Sequence, residues 1–186
     1  MTVCIAAIYR GGYGLLTASD REISGMTRFQ SPEPKVYGLS SSIAVLWATQ
    51  DADFQNLIHN QLRRQVVERL AADPKPWLTV EEVAFMYQAQ YNAARLHRLQ
   101  QTVLLPWGLD NTNLLATLPH LPEALGRQII AEINAFTGPA LQALVVGMDH
   151  LGPTPYSQSV AHIYTVATDG REAIVSCSDS IGFASI

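Results

Sequence analysis

A nucleophile and a base share the second position of the chain once the initiator methionine is removed. Thr2 then becomes the N-terminal residue and carries both a hydroxyl and a free α-amine. An N-terminal threonine is a known arrangement in which the nucleophile brings its own general base. Methionine is commonly removed before a residue as small as threonine. Many ordinary proteins also begin Met-Thr, so Thr2 is a candidate catalytic residue that needs support from the rest of the chain.

Lys35 is the second residue whose type and place suit an active site. Of the 12 Lys and Arg residues, only Lys35 and Lys75 are lysines. Lys75 lies in a proline-rich turn, whereas Lys35 opens the apolar run 35–39. Lysine has a compact charge, and its pKa moves readily on desolvation, which favours a catalytic use. The alternative is a solvent-exposed charge at the edge of a strand.

Composition predicts a single globular domain. The 186 residues are 48% hydrophobic and 15% charged, which is enough apolar material for a substantial core. A net charge of −4 without a dense basic cluster argues against nucleic acid or an anionic membrane as a partner. No apolar stretch approaches the roughly 20 residues of a bilayer span, and no signal-peptide pattern is seen. We therefore expect a cytoplasmic location.

The cysteines and histidines do not suggest a metal site. Cys4 and Cys177 lie in apolar, strand-like runs, so we expect two buried small residues without a disulfide. The five histidines lack the spacing of zinc ligands and are interpreted as ordinary helix-surface and strand residues. We expect no metal and no cofactor.

Four strands are predicted in the first 50 residues, at 2–9, 13–19, 35–39 and 42–49. Gly11-Gly12 is typical of a hairpin between the first two strands. The polar segment 20–34 is predicted to be a loop. Strands that pair as consecutive hairpins form antiparallel sheet.

Helical periodicity follows. Apolar residues recur every three or four positions over 51–72, and Asp73-Pro74 ends this helix. Thr79 and Glu82 fit a capping box that begins a second helix, which extends to about residue 100. A third helix is predicted at 122–135, with its apolar residues on one side: Leu125, Ile129, Ile130 and Ile133. The remainder of 102–140 is predicted to be irregular.

Three strands are predicted near the end, at 141–148, 160–167 and 171–177, with a final short run at 181–186. Asp169-Gly170 is a strong hairpin turn between the second and third of these. The chain shows no alternating strand–helix–strand order. The fold class is therefore α+β, without a doubly wound parallel sheet.

These pieces together resemble the proteasome β-subunit superfamily, which includes bacterial proteasome-like peptidases. The similar segments, over about 2–97 and 141–186, are 2–6 (TVCIA), 18–21 (ASDR), 24–25 (SG), 35–37 (KVY), 43–45 (IAV), 144–149 (LVVGMD) and 163–166 (IYTV). The resemblance implies a four-layer αββα sandwich of two antiparallel sheets, the N-terminal nucleophile hydrolase fold. It implies a threonine peptidase that cleaves peptides or unfolded proteins in a homo-oligomer, with an ATP-driven unfoldase as a further possible partner.

The resemblance also assigns catalytic roles. Thr2 Oγ attacks the carbonyl and its α-amine moves the proton. Lys35 supplies positive charge beside the hydroxyl, and Asp20 orients Lys35. The backbone N–H of Thr49 binds the oxyanion at a position where the family normally has glycine. As alternatives, Asp20 caps a turn with Arg21 and Lys35 is a solvated edge charge.

Substrate binding is assigned in the same way. Ser24 matches the position whose main chain binds the peptide as an added strand. The primary specificity pocket is lined by Ile23, Tyr37, Trp47 and Asp51. Trp47 would fill much of this pocket, so that it favours small side chains or is blocked. The alternative is that Trp47 packs under the first helix.

Two departures from the family leave other functions open. The segment 98–140 is longer than the family's connection, and it is predicted to be a lid, a ring contact or an elaboration without a catalytic role. The sequence ends at 181–186, before the segment that supplies an assisting Ser and Asp, so the C-terminal portion is expected to be missing. A catalytically inactive scaffold subunit and an N-terminal nucleophile amidohydrolase acting on a small amide are the alternatives.

Overall fold

The first strand pairs with strands from both ends of the sequence. The computed structural model describes residues 2–19, 22–23, 29–30, 35–49, 51–73, 77–152, 159–166, 172–175 and 181–185. Strand β1 (Thr2–Tyr9) pairs antiparallel with β2 (Gly14–Ser19) and, on its other edge, with β10 (Ile181–Ser185). The result is a three-stranded sheet in the order β10-β1-β2, which we call sheet 1.

The predicted first hairpin is confirmed. Its turn, Arg10–Gly12, is a short 3₁₀ helix in which Gly11 and Gly12 have φ of 64° and 102°. Residues with a side chain rarely adopt these angles, so the glycine pair allows the chain to reverse here.

The predicted loop 20–34 contains some regular structure. The strands β3 (Glu22–Ile23) and β4 (Phe29–Gln30) pair antiparallel as a two-stranded ribbon. Each strand has only two residues, which is too short to produce a recognisable alternation of apolar and polar positions.

The second sheet, sheet 2, has five antiparallel strands in chain order. They are β5 (Val36–Gly38), β6 (Ile43–Thr49), β7 (Leu141–His150), β8 (Ser159–Val166) and β9 (Glu172–Val175). The predicted strands are confirmed within a few residues at each end. All α-helices of the described chain lie between β6 and β7.

Two long helices follow β6. Helix α1 (Ala52–Ala72) begins at Asp51, whose carboxylate accepts the N–H of Phe54 at 2.9 Å. Helix α2 (Val80–Leu99) begins at Thr79, whose hydroxyl accepts the N–H of Glu82 at 3.1 Å. The Glu82 carboxylate accepts a hydrogen bond from Arg69 Nε at 2.9 Å, which ties α2 to α1. These caps satisfy N–H groups that a helix start leaves unpaired.

Alternation along the strands of sheet 2 creates two cores. Ile43 and Val45 face α1 and α2, together with Val145 and Tyr164 of neighbouring strands. The intervening residues face sheet 1 and pack with Cys4 and Ala6, as in the set Leu46, Ala48, Leu144, Val146 and Ile163. The described chain therefore has three layers, a helix layer, sheet 2 and sheet 1.

The segment between α2 and β7 is more regular than predicted. A π-helical turn (Gln100–Leu104) and a 3₁₀ turn (Leu105–Trp107) follow α2. After them come α3 (Leu114–Thr117), a further 3₁₀ turn and α4 (Glu123–Ala135).

This segment has a small core of its own around Leu104, Leu109 and Ile129. Leu125 and Ile133 pack against that core as predicted, but the placement of Ile130 on the same side is wrong, because its side chain is 44% exposed. Ile130 follows Ile129 directly and so is rotated by about 100° around the helix.

A search of the described helices finds none long and apolar enough to cross a membrane.

The contact between α2 and β7 gives a stability prediction. A Cβ atom on Gly147 would lie 2.6 Å from the Ser42 carbonyl oxygen and 2.9 Å from a Val80 methyl group. We expect Gly147→Ala to lower the free energy of unfolding by about 1–3 kcal/mol, measured by urea denaturation, because the crowding atoms include backbone. Gly126→Ala is the control, since a Cβ there meets nothing closer than 4.0 Å and alanine favours a helix. Equal stability of the two variants would contradict this account.

Candidate active site

Two contacts bring the start of the chain to sheet 2. The Cys4 thiol donates to the Trp47 carbonyl oxygen across the two sheets, with a sulfur–oxygen distance of 3.4 Å. The Trp47 N–H donates to the Lys35 carbonyl oxygen at 3.2 Å. Thr2 precedes Cys4 by two residues in β1, or about 7 Å of strand. The backbone positions of Thr2 and Lys35 are thus joined through Cys4 and Trp47.

Lys35 is buried, with 2% of its surface exposed. This excludes the interpretation of Lys35 as a solvated charge at the edge of a strand. Taking an ammonium group out of water is costly, so a buried lysine is normally held by polar or charged partners. Lys35 lies directly before β5, with its carbonyl oxygen paired to Trp47 of β6.

The backbone N–H of Thr49 points toward the β5 side of β6. In an antiparallel sheet the N–H groups of alternate residues point to the same neighbouring strand. The Trp47 N–H donates to the Lys35 carbonyl oxygen, so the Thr49 N–H, two residues later, points to the same side of β6. Along β6 it lies past the position opposite Lys35, which directly precedes β5. Thr49 is in extended strand conformation, so a side chain is accommodated without a glycine-only backbone.

The Thr49 side chain is turned away from that N–H. Its hydroxyl donates to the Ala140 carbonyl oxygen at 2.8 Å and accepts the Asp51 N–H at 3.1 Å. The hydroxyl therefore connects the end of β6 to the residue before β7.

Asp51, predicted to line the specificity pocket, has both carboxylate oxygens in contacts within the chain. Oδ1 accepts the N–H of Phe54 at the start of α1, and Oδ2 forms an ion pair with Arg98. The ion pair was not predicted, because local sequence carries no signal for the pairing of Asp51 with a residue 47 positions away.

Tyr37 and Trp47 share a cluster of rings with His59 of α1. Tyr37 stacks on His59 with ring centroids 4.7 Å apart, and Trp47 meets His59 edge-on at 6.2 Å. Trp47 is half-buried and also packs against the core below α1. The two interpretations of Trp47, as pocket wall and as packing under the first helix, are thus both compatible with its position.

His59 corrects the expectation that the histidines lie on helix surfaces, because it is 5% exposed. The Tyr87 hydroxyl donates to Gln55 Oε1 at 3.0 Å, which leaves the Gln55 amide NH₂ to donate to His59 Nε2. His59 Nε2 is then an acceptor, and the ring is neutral with its proton on Nδ1. The available signal was the i, i+4 spacing of Gln55 and His59, which parallels the buried pair Phe54 and Ile58.

Burial sets the ionisation of this network. It lowers the pKa of His59 to about 4, because the protonated ring would lose its hydration. Burial likewise raises the pKa of the Tyr87 hydroxyl above its ordinary value. Both groups are neutral at physiological pH, as buried polar side chains generally are.

The remaining predicted site residues are Thr2, Asp20, Ile23 and Ser24. Asp20 and Ser24 lie outside the described residues. Thr2 and Ile23 are described in their backbones alone, in β1 and β3. Cys4 is buried, as predicted, and Cys177 lies outside the described part.

The described side chains form no cluster of metal ligands. Among the residues that the structure describes, no set of three or more His, Cys, Asp or Glu side chains is arranged to hold a metal ion. His162 instead lies 3.6 Å from the Asp149 carboxylate, and His150 Nδ1 lies 2.9 Å from the Ser159 hydroxyl.

Comparison with known proteins adds no relative. No protein-family model matches the chain, and a search of curated proteins finds no match.

The neutral state of His59 predicts a pH dependence of stability. The pKa of about 4 in the folded chain lies below the ordinary 6.5, so the unfolded chain binds the proton more tightly. The free energy of unfolding therefore has its full value above pH 6.5 and decreases by up to about 3 kcal/mol as the pH falls to about 4. In His59→Phe, which keeps a ring against Tyr37, this part of the decrease should vanish in urea denaturation between pH 4 and 7. An unchanged pH profile would show that His59 titrates normally.

Proposed function

We propose that the protein is an N-terminal threonine peptidase that hydrolyses peptide bonds of peptides or unfolded proteins within a homo-oligomer. The observation that carries this proposal is the pair of contacts from Cys4 to Trp47 and from Trp47 to Lys35. They support a site in which a buried lysine lies near the beginning of β1. The buried state of Lys35 favours a role inside the sandwich.

The proposed reaction uses three residues of the chain. Thr2 Oγ attacks the substrate carbonyl while its own α-amine accepts the hydroxyl proton, which passes to the leaving amine. Water then hydrolyses the acyl-enzyme with the same amine as base. Lys35 stabilises the negative charge that develops on Oγ, and Asp20 is proposed to orient Lys35. The reference pKa of an α-amine is about 8, so a substantial fraction is unprotonated near neutral pH.

The proposed oxyanion donor is the backbone N–H of Thr49. It points to the β5 side of β6, and extended conformation at Thr49 leaves the N–H in the plane of the sheet. A preorganised N–H donor in a water-poor site stabilises the tetrahedral intermediate more than it stabilises the substrate.

The four-layer sandwich is part of the proposal. Three layers lie in the described chain, and the outer face of sheet 1 has exposed apolar residues, including Ile5 (39%), Tyr9 (49%) and Leu16 (64%). A second helix layer on that face would bury them and complete the αββα order. An apolar face of this kind is otherwise unusual on a sheet in contact with water.

One observation favours the scaffold alternative. The rings of Tyr37, Trp47 and His59 pack together where the primary pocket is proposed, which leaves little space for a substrate side chain. A peptidase with this pocket would prefer small side chains, and an inactive scaffold subunit would accept none. The small-amide amidohydrolase requires hydrolysis of a small amide without cleavage of peptides.

The nucleophile is tested by mass spectrometry. We expect the intact mass to lack Met1, and treatment with a peptide epoxyketone to add one inhibitor per chain at Thr2, because this warhead reacts with both the hydroxyl and the amine. Thr2→Ala should abolish the adduct. Retention of Met1, or an adduct that survives Thr2→Ala, would reject the peptidase, and a processed but unreactive chain would favour the scaffold.

The role of Lys35 is tested by Lys35→Met, which keeps the length of the side chain and removes the charge. We expect turnover of a fluorogenic peptide to fall by about 10²–10³-fold, the usual size of one electrostatic contribution to a transition state. The folded state should persist in circular dichroism, because methionine is compatible with a buried site. A folded variant with wild-type turnover would remove Lys35 from the mechanism.

A further inference from the structure

Both residues that flank the long connection between α2 and β7 contact the junction of β6 and α1, at Thr49 and Asp51. Arg98, at the end of α2, forms an ion pair with the Asp51 carboxylate. Ala140, directly before β7, accepts the Thr49 hydroxyl through its carbonyl oxygen at 2.8 Å. We call residues 99–139 the inserted segment. The inserted segment therefore begins next to the contact with Asp51 and ends next to the contact with Thr49.

Thr49 and Asp51 are also bonded to each other. The Asp51 N–H donates to Thr49 Oγ1 at 3.1 Å, and Asp51 Oδ1 accepts the Phe54 N–H at 2.9 Å. A continuous path of polar contacts therefore runs from Arg98 through Asp51 and Thr49 to Ala140. Chains of this kind restrict the backbone because each contact limits the geometry of the next.

The inserted segment is itself a folded unit. Leu104, Leu109 and Ile129 are each at most 3% exposed and form a core separate from the two cores of the sandwich. The Trp107 indole N–H donates to Glu132 at 2.9 Å, which joins its two halves. A unit with its own core can hold its two ends at a fixed separation.

We propose that Arg98 is a positioning residue for the oxyanion donor, acting through Asp51. Together with the Ala140 carbonyl, it fixes the segment that presents the Thr49 N–H, so the inserted segment serves as a brace for the catalytic end of β6. This inference rests on the proposed peptidase function. It also explains why a carboxylate predicted to line the pocket is directed to Arg98 and to the start of α1.

A purely structural role predicts something different. Arg98 and Asp51 are 36% and 30% exposed in their side chains, and ion pairs at such sites contribute little to stability. Loss of the pair should thus leave the fold intact. A small displacement of an oxyanion donor, in contrast, slows the chemical step without weakening ground-state binding.

The main test compares Arg98→Ala with Arg127→Ala in the full chain. Arg127 lies within the inserted segment and pairs with Glu123 on the exposed surface of α4. We expect Arg98→Ala to lower kcat on a fluorogenic peptide about tenfold with KM within twofold, and Arg98→Lys to restore most of the loss. Arg127→Ala should match the wild type. Equal kcat in Arg98→Ala and Arg127→Ala, or an effect confined to KM, would overturn the inference.

Reversible inhibitors give a second measurement. Thr2 Oγ forms a bond to the carbonyl carbon of a peptide aldehyde, and the carbonyl electron pair moves to the oxygen. The hydroxyl proton passes through the α-amine to that oxygen. The matching peptide alcohol binds without forming this bond. Arg98→Ala should lose about tenfold in aldehyde affinity and none in alcohol affinity, whereas a parallel loss of both would indicate a general disturbance of the site and overturn the inference.

Thr49 provides a matched pair of variants. Thr49→Val removes the hydroxyl that contacts Ala140 and Asp51, and Thr49→Ser keeps it, while both retain the backbone N–H. We expect the valine variant to lose kcat and aldehyde affinity as Arg98→Ala does, and to lose more of both than the serine variant. The reverse order would overturn the inference.

Failure of the proposed function is distinguishable. If the wild-type chain binds the aldehyde no more tightly than the alcohol, the proposed peptidase function is rejected. Hydrogen exchange then tests the restraint of Asp51 by Arg98 independently of catalysis. In Arg98→Ala, amides of the first turn of α1 should exchange faster than in the wild type, and in Arg127→Ala they should not. Equal exchange in both variants would overturn the link between the inserted segment and Asp51.

Discussion

The pairing of β6 with β7 is the constraint on which the other layers depend. Seven residues, Ile43–Thr49, are matched antiparallel with positions 141–147, in the middle of sheet 2. Because side chains alternate, this register alone decides which residues face the helices and which face sheet 1. A shift by one residue would put Leu46 in the position of Val45, so that the side chains of each core would face the opposite layer. Gly147 reinforces the register, since the Ser42 carbonyl and Val80 approach it too closely for any side chain.

The helices and most strands were predictable because their signals are local. Asp51 and Thr79 lie at helix starts, where short polar residues are favoured, and both accept a backbone N–H group of the first helical turn. The exceptions have physical reasons. The ribbon of β3 and β4 is too short to show a period, and the π and 3₁₀ turns of the inserted segment have no simple spacing. Their positions depend on the local core around Leu104.

The candidate site was predictable to a lesser degree. Lys35 was singled out by its residue type and its place before a strand, and its burial agrees with a functional use of the charge. The contacts of Asp51 with Arg98 and of Thr49 with Ala140 join residues 47 and 91 positions apart, and no local pattern encodes such contacts. His59 was misplaced for a related reason. Its polarity suggested a surface position, whereas Tyr87 and Gln55 together supply the hydrogen bonds that make a buried imidazole acceptable.

The distance along the chain between β6 and β7 has a consequence for biosynthesis. Thr49 and Ala140 are 91 positions apart, so at ribosomal rates of about 5–20 residues per second the partner of β6 follows after roughly 5–20 seconds. During that interval α1 and α2 can cover one face of β6 and the hairpin of β1 and β2 can cover the other, while its β7 edge has no partner. An apolar strand with an open edge is a site for pairing with other chains. The nascent chain therefore passes through a stage at which chaperone binding would protect it from aggregation.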